Sequence, residues 1–152
     1  MSEEKKAREE MVEHYRDEVM RLAAYIPWLE EKSGNAVSQS YNPEGGRTIT
    51  FPVYDSMLLQ FVKAMDGSIF IDKNYPYVYS RYGLKTAADE IRLIEKTDIM
   101  NMAVIGGILS KYILGGRTKG KVWSEGVMNG VYLKALQKAK DLIEFYDLKE
   151  QA

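Results

Sequence analysis

The chain predicts an α+β fold dominated by helices: a long N-terminal helix, a β-hairpin or small three-stranded antiparallel sheet, then four helices. Three observations carry this expectation. Val12, Tyr15, Val19, Leu22, Ile26 and Leu29 recur at alternating spacings of three and four, the period of one helix face. Val37, Gln39 and Tyr41, and then Ile49, Phe51 and Val53, alternate with polar neighbours across the turn-forming NPEGG segment, as hairpin strands do. From Asp55 onward the helical spacing returns in separate stretches, at Leu58–Met65, Ile99–Ile113 and Met128–Tyr146.

Each element follows from local signals. The first helix is expected over about Ser2–Glu31, with a break near Tyr25 and Ile26 because Pro27 lacks an amide donor and crowds the preceding turn. Its apolar stripe is shorter than a coiled coil needs, so it suits packing within one chain, although a homodimer seam through this helix stays open. After the hairpin, Leu58, Phe61, Val62 and Met65 mark a helix over about 55–65, ended by Asp66-Gly67. Ser68–Ile71 is the candidate third strand. Tyr75, Tyr77, Tyr79 and Tyr82 surround Pro76 and Arg81 in an irregular turn or short helix. Thr86 with Asp89 resembles a capping box, with Asp where Glu or Gln is usual, and opens a helix to about Lys96. Ile99, Met102, Ile105, Leu109 and Ile113 form the next helical face, closed by Gly115-Gly116. A final helix is expected from Ser124 to about Leu148, burying Met128, Tyr132, Leu136, Ala139, Ile143 and Tyr146.

A chain of 152 residues, 45% hydrophobic and 28% charged, suits one globular domain, here residues 1–152 with an acidic helical extension over 1–20. No apolar run is long enough to span a bilayer, and MSEEKKAREE is too polar for a secretory signal, so a cytoplasmic protein without membrane partners is expected. The absence of cysteine removes thiol nucleophiles, thiolate metal sites and disulfides. Net charge is −1, which gives no overall field for nucleic acid, and nucleic-acid partners are disfavoured. The distribution is uneven. Residues 1–20 hold four cations against seven acids, whereas residues 105–140 hold seven cations against Glu125 alone.

That basic excess centres on GGRTKGKVW, a glycine-rich connector. Gly115, Gly120 and Lys121 match the phosphate-loop spacing GxxxxGK, but Val122 stands where Ser or Thr must hold magnesium, and ILSKYIL before it is helical rather than a strand. Ile69–Asp72 imitates the acidic nucleotide motif but lies upstream. Simple anion binding would need only free loop amides and the positive end of a following helix. His14 is the single histidine, flanked by Glu13 and Tyr15, and supports neither a catalytic triad nor a histidine metal site. Glu30-Glu31-Lys32 gives a nuclease-like ExK at a helix end, which ordinary composition explains. Asp89 and Glu90 diverge by about 100° on a helix, and capping and solvation account for them. No catalytic residue, metal ligand or cofactor is assigned.

Rings and cations remain. Arg117, Lys119, Lys121 and Trp123 in the connector, with Tyr77, Tyr79 and Arg81 in the tyrosine run, combine the residue types enriched at protein-protein hot spots. The expectation is a non-enzymatic interaction module that presents these seven residues to an acidic protein surface. The alternatives are a nucleotide or phosphorylated small-molecule binder and a single-stranded nucleic-acid binder.

YIPWLEEKSG, FPVYDSMLLQFV, NYPYVYSRY and GGILSKYILGGRTKGKVWSEGV followed by GVYLKAL resemble small bacterial proteins of gut Firmicutes, of the domain-of-unknown-function type and associated with mobile elements. The likeness spans about residues 20–146. No activity, cofactor or catalytic residue attaches to that group. A mobile-element setting would imply contact with a host or defence protein.

Overall fold

The computed structural model describes residues 2–34, 38–41 and 51–151, with side chains described outside 38–41, 51–54 and 149–151. It corrects the α+β class, because the body of the protein is helical. Ser68–Ile71, the expected third strand, is a run of turns. Ser38–Tyr41 and Phe51–Tyr54 pair antiparallel in the register Ser38↔Tyr54 and Tyr41↔Phe51. Four residues a side make a short ribbon, marginal by itself, and no sheet layer on which helices could pack. The NPEGG turn, Val37 and Ile49 lie outside the described residues.

Helix α1 runs over Glu3–Leu22, with the Ser2 hydroxyl accepting from the Lys5 amide at 3.1 Å and Glu3 and Glu4 at the positive end of its dipole. A single 3₁₀ turn over Ala23–Tyr25 separates it from α2, Ile26–Lys32, which holds Pro27 in its first turn, where the missing amide costs nothing. The break falls where the proline required it. Val12, Tyr15, Val19, Leu22, Ile26 and Leu29 are all buried in the chain's own core, which leaves none of these six for a second copy.

Beyond the ribbon come six helices where four were expected. Helix α3 spans Ser56–Asp66, capped by the Asp55 carboxylate accepting from the Met57 amide at 2.7 Å. The tyrosine run is a true helix, α4, Tyr75–Tyr82, closed by Gly83 in the left-handed conformation at φ 63°. Helix α5, Ala87–Lys96, begins with a reciprocal capping box in which Asp89 replaces the usual glutamate. A 3₁₀ turn over Ile99–Asn101 leads into α6, Ala103–Gly115. The single final helix of the sequence reading is two: α7, Lys121–Met128, and α8, Val131–Gln151. They part at Asn129-Gly130, where Gly130 takes φ 80° and the Asn129 side chain accepts from the Val131 amide at 3.0 Å. No described helix is long and apolar enough to cross a membrane.

Helix α6 is the centre. Val104, Ile105, Ile108, Leu109, Tyr112 and Ile113 are buried together with Gly106, Gly107 and Ser110, so it meets neighbours on all sides. It packs against α3, α4, α5, α7 and α8. Such closeness needs small residues. A β-carbon on Gly106 would stand 2.6 Å from the Phe70 carbonyl oxygen, and one on Gly107 would stand 2.7 Å from a Val78 methyl. The Ser110 hydroxyl then donates toward the carbonyls of Gly106 (2.7 Å) and Phe70 (3.2 Å) and accepts from the Asp72 amide (2.8 Å), which pins the 68–72 turns to the helix.

Two substitutions separate tight packing from polar satisfaction. Gly106→Ala presses a methyl against backbone that cannot rotate away, and should lower stability by about 1–3 kcal/mol in urea unfolding. The Tyr132 hydroxyl is fully buried with no hydrogen-bond partner among the described residues, so Tyr132→Phe should leave stability unchanged or raise it.

Candidate functional site

The connector is shorter and more ordered than its sequence implied. Helix α6 ends at Gly115 and α7 begins at Lys121, so only residues 116–120 form the turn, and Lys121 and Trp123 are helical. Four of its five amides are occupied. Those of Gly116, Arg117, Thr118 and Lys119 donate to carbonyls of Tyr112, Leu114, Gly115 and Gly115, and those of Val122 and Trp123 to Lys119 and Gly120. These amides form no open cradle for a phosphate.

Gly116 is the positional key. A β-carbon there would fall 2.0 Å from the Trp123 ring, so only glycine lets the indole fold back over the end of α6. The indole Nε1 donates to the Ile113 carbonyl at 2.9 Å. With its polar edge satisfied, the half-buried ring helps wall a hollow of about 320 Å³ together with Leu59 and Val62 of α3 and Ile113 of α6. Lys63, Asp66 and Arg117 complete the rim. Leu59 is 44% exposed, so the hollow carries apolar surface to solvent.

Arg117 is ion-paired with Asp66, 51 residues away in sequence. This corrects the picture of a connector whose cations all face outward unopposed. Both partners are substantially exposed, at 54% and 40%, and pairs of that kind contribute roughly 0–1 kcal/mol. Lys119 and Lys121 are exposed and pair with no described carboxylate. Lys63, in the last turn of α3, is exposed as well.

The tyrosine run divides between two roles. Tyr77 is exposed, and its hydroxyl accepts from Arg81 at 3.1 Å, while the Arg81 guanidinium lies 5.6 Å from the centre of the Tyr82 ring. Tyr79 turns inward. The hollow beside the connector includes none of Tyr77, Tyr79 or Arg81, so the seven residues grouped by sequence do not line one concavity.

Tyr79 points to what the sequence reading missed. Glu90, read there as solvated, is 1% exposed and accepts from the hydroxyls of Tyr79 and Tyr112, the latter at 2.5 Å. Lys111 supplies the counter-charge at 3.4 Å, its ammonium 5.1 Å from the centres of both tyrosine rings. Asn129 donates to the Tyr112 hydroxyl at 2.9 Å and so carries the network to the α7–α8 break. Glu90 and the buried Ile94 sit four apart on one face of α5, and an acid at a stripe position was the available signal. Burial, then the bond to Glu90, raises the pKa of Tyr79 and of Tyr112 well above the usual phenol value. The carboxylate is enclosed by side chains that satisfy it, an arrangement that fastens α4, α5 and α6 rather than opening onto substrate.

His14 is exposed on α1, its ring edge-on to Tyr15. Among the described residues no three His, Cys, Asp or Glu side chains converge in a way that could hold a metal ion. No protein-family model, curated protein or solved structure matches the chain.

Removing Glu90 should be the most damaging change to the network. Glu90→Ala leaves Lys111 and two buried hydroxyls without their acceptor and should cost about 3 kcal/mol or more, against about 1 kcal/mol for Tyr79→Phe. Both are measurable by urea unfolding. Because the folded-state pKa of both phenols lies above the unfolded value of about 10, their stabilisation is complete below that pH and lost as pH rises past it. Tyr79→Phe/Tyr112→Phe should therefore show a smaller loss of stability than wild type between about pH 9 and pH 11.

Proposed function

We propose that the chain is a non-enzymatic interaction module whose docking surface is the hollow between α3 and the α6–α7 turn, and whose partner is an acidic protein segment. The observation that carries this reading is an apolar floor opening to solvent at Leu59, inside a border where cations outnumber the one acid, Asp66. Leu59, Val62, Ile113 and Trp123 form the floor, Lys63 and the Arg117–Asp66 pair stand at its edge, and Lys119 and Lys121 stand exposed on the adjoining turn and helix end. Rings and aliphatic groups would supply buried area, and the lysines would speed encounter and reject basic partners. The exposed Tyr77 and Arg81 lie outside the hollow and could add to the surface only if the partner extends beyond it.

Phosphorylated small molecules suit the turn less well, because the amides of residues 116–119 already serve as donors within it. The cysteine-free composition fits a reducing compartment, and we place the module in the cytoplasm.

The test is charge reversal on a probe. A short fluorescein-labelled peptide, rich in glutamate with one central phenylalanine, should bind the wild-type chain in anisotropy titrations at low salt. Lys119→Glu/Lys121→Glu should weaken that binding about tenfold or more and leave the melting temperature within a few degrees, as surface substitutions do. Equal affinity of the two proteins would contradict the reading.

A further inference from the structure

Asp66 is the last residue of α3, where the negative end of the helix dipole opposes a carboxylate, and it is Gly67 rather than Asp66 that closes the helix. The bond to Arg117 is the one described hydrogen bond of its side chain, and both residues line the hollow. An exposed acid whose one described side-chain bond is to the arginine of a docking surface behaves as an occupant of that arginine.

We propose that Asp66 stands in for a carboxylate of the partner, and that the partner presents an acidic residue beside a large apolar one. This rests on the docking reading above. The apolar side chain would seat against Leu59, Val62, Ile113 and Trp123 while the partner's carboxylate takes Arg117 from Asp66. The size of the hollow agrees. At about 320 Å³ it lies at the small end of ligand pockets and takes one or two side chains rather than an extended cofactor. The charge pattern agrees too, since Lys63, in the same last turn of α3, favours an incoming anion at the edge that Asp66 occupies. Exchange of one exposed carboxylate for another around Arg117 opens no core contact, so the site would be preformed and its affinity held down by an internal competitor.

The full chain, with Asp66→Asn, Arg117→Gln and the double variant, should be titrated with the same phenylalanine-containing glutamate peptide and with a version carrying alanine for phenylalanine. Asp66→Asn should bind the first peptide about two- to five-fold more tightly than wild type, the range that freeing one exposed ion-pair partner implies. In the Arg117→Gln background the same change should give no gain, and the alanine peptide should bind weakly throughout. Asp66→Ser repeats the test should the asparagine variant fail to fold. Wild-type binding with no gain in either Asp66 variant overturns the assignment of Asp66 but keeps the docking surface. An equal gain in both arginine backgrounds also overturns it, as an effect of general charge. Binding by none of the proteins removes the docking surface and this inference together.

Discussion

The burial of α6 over Val104–Ser110 and at Tyr112 and Ile113 is the constraint from which the rest of the structure follows. A helix reading AVIGGILSKYILG has little polar surface to give to water beyond Lys111, so neighbours must cover most of it, and each contact fixes one part of the surface. Gly106 admits the Phe70 backbone, Gly107 admits Val78 of α4, and Ser110 satisfies the turn polar groups that this approach buries. One turn later, Lys111 and Tyr112 hold Glu90 of α5, and the Ile113 carbonyl receives the indole of Trp123. The candidate surface is the place where this buried helix reaches solvent.

Lys111 on this helix and Arg117 just past its end belong to two acid-base pairs with different energetics, with acids from α5 and α3. Glu90 is enclosed, bonded to two tyrosine hydroxyls and balanced by Lys111, and breaking such a buried set costs roughly 3–5 kcal/mol. Asp66 with Arg117 is exposed at both ends and belongs to a class worth about 1 kcal/mol or less. That difference assigns their roles. The first holds helices in register, whereas the second can open without disturbing the core, as an exchangeable contact at a binding surface must. Placing the hollow between α3 and α6 also gives it rigid walls, which lowers the ordering cost of association.

The elements legible from sequence are those set by neighbours within a turn or two. The α1 stripe, its interruption at Pro27, the α3 face and the Thr86–Asp89 box all follow from spacing or local hydrogen bonding, and the structure shows each of them. What could not be read depends on distant partners. Alternation around residues 37–53, extended to Ser68–Ile71, implied a sheet, yet residues 68–71 turn instead because Phe70 is drawn against Gly106 of α6. The glycines at 115, 116 and 120 imitate a long loop, but Gly116 serves to seat Trp123 and the helix resumes at Lys121. The 124–148 periodicity runs smoothly across Asn129-Gly130 and hides the break there. Of the seven residues proposed for the surface, the structure joins Arg117 and Trp123 in one hollow, keeps Lys119 and Lys121 exposed beside it, and turns the half-buried Tyr79 toward Glu90. Asp66, Leu59 and Val62 entered the site only through tertiary contact.

Hydrogen–deuterium exchange of the full chain, alone and saturated with the phenylalanine-containing glutamate peptide, tests the central claim most directly, because it locates bound surface without assuming which side chains matter. Docking in the hollow should give new protection confined to the end of α3 and to residues 113–123, with α5 and α8 unchanged. Protection centred elsewhere on the molecule, or no change at residues 113–123 under saturating peptide, would contradict it.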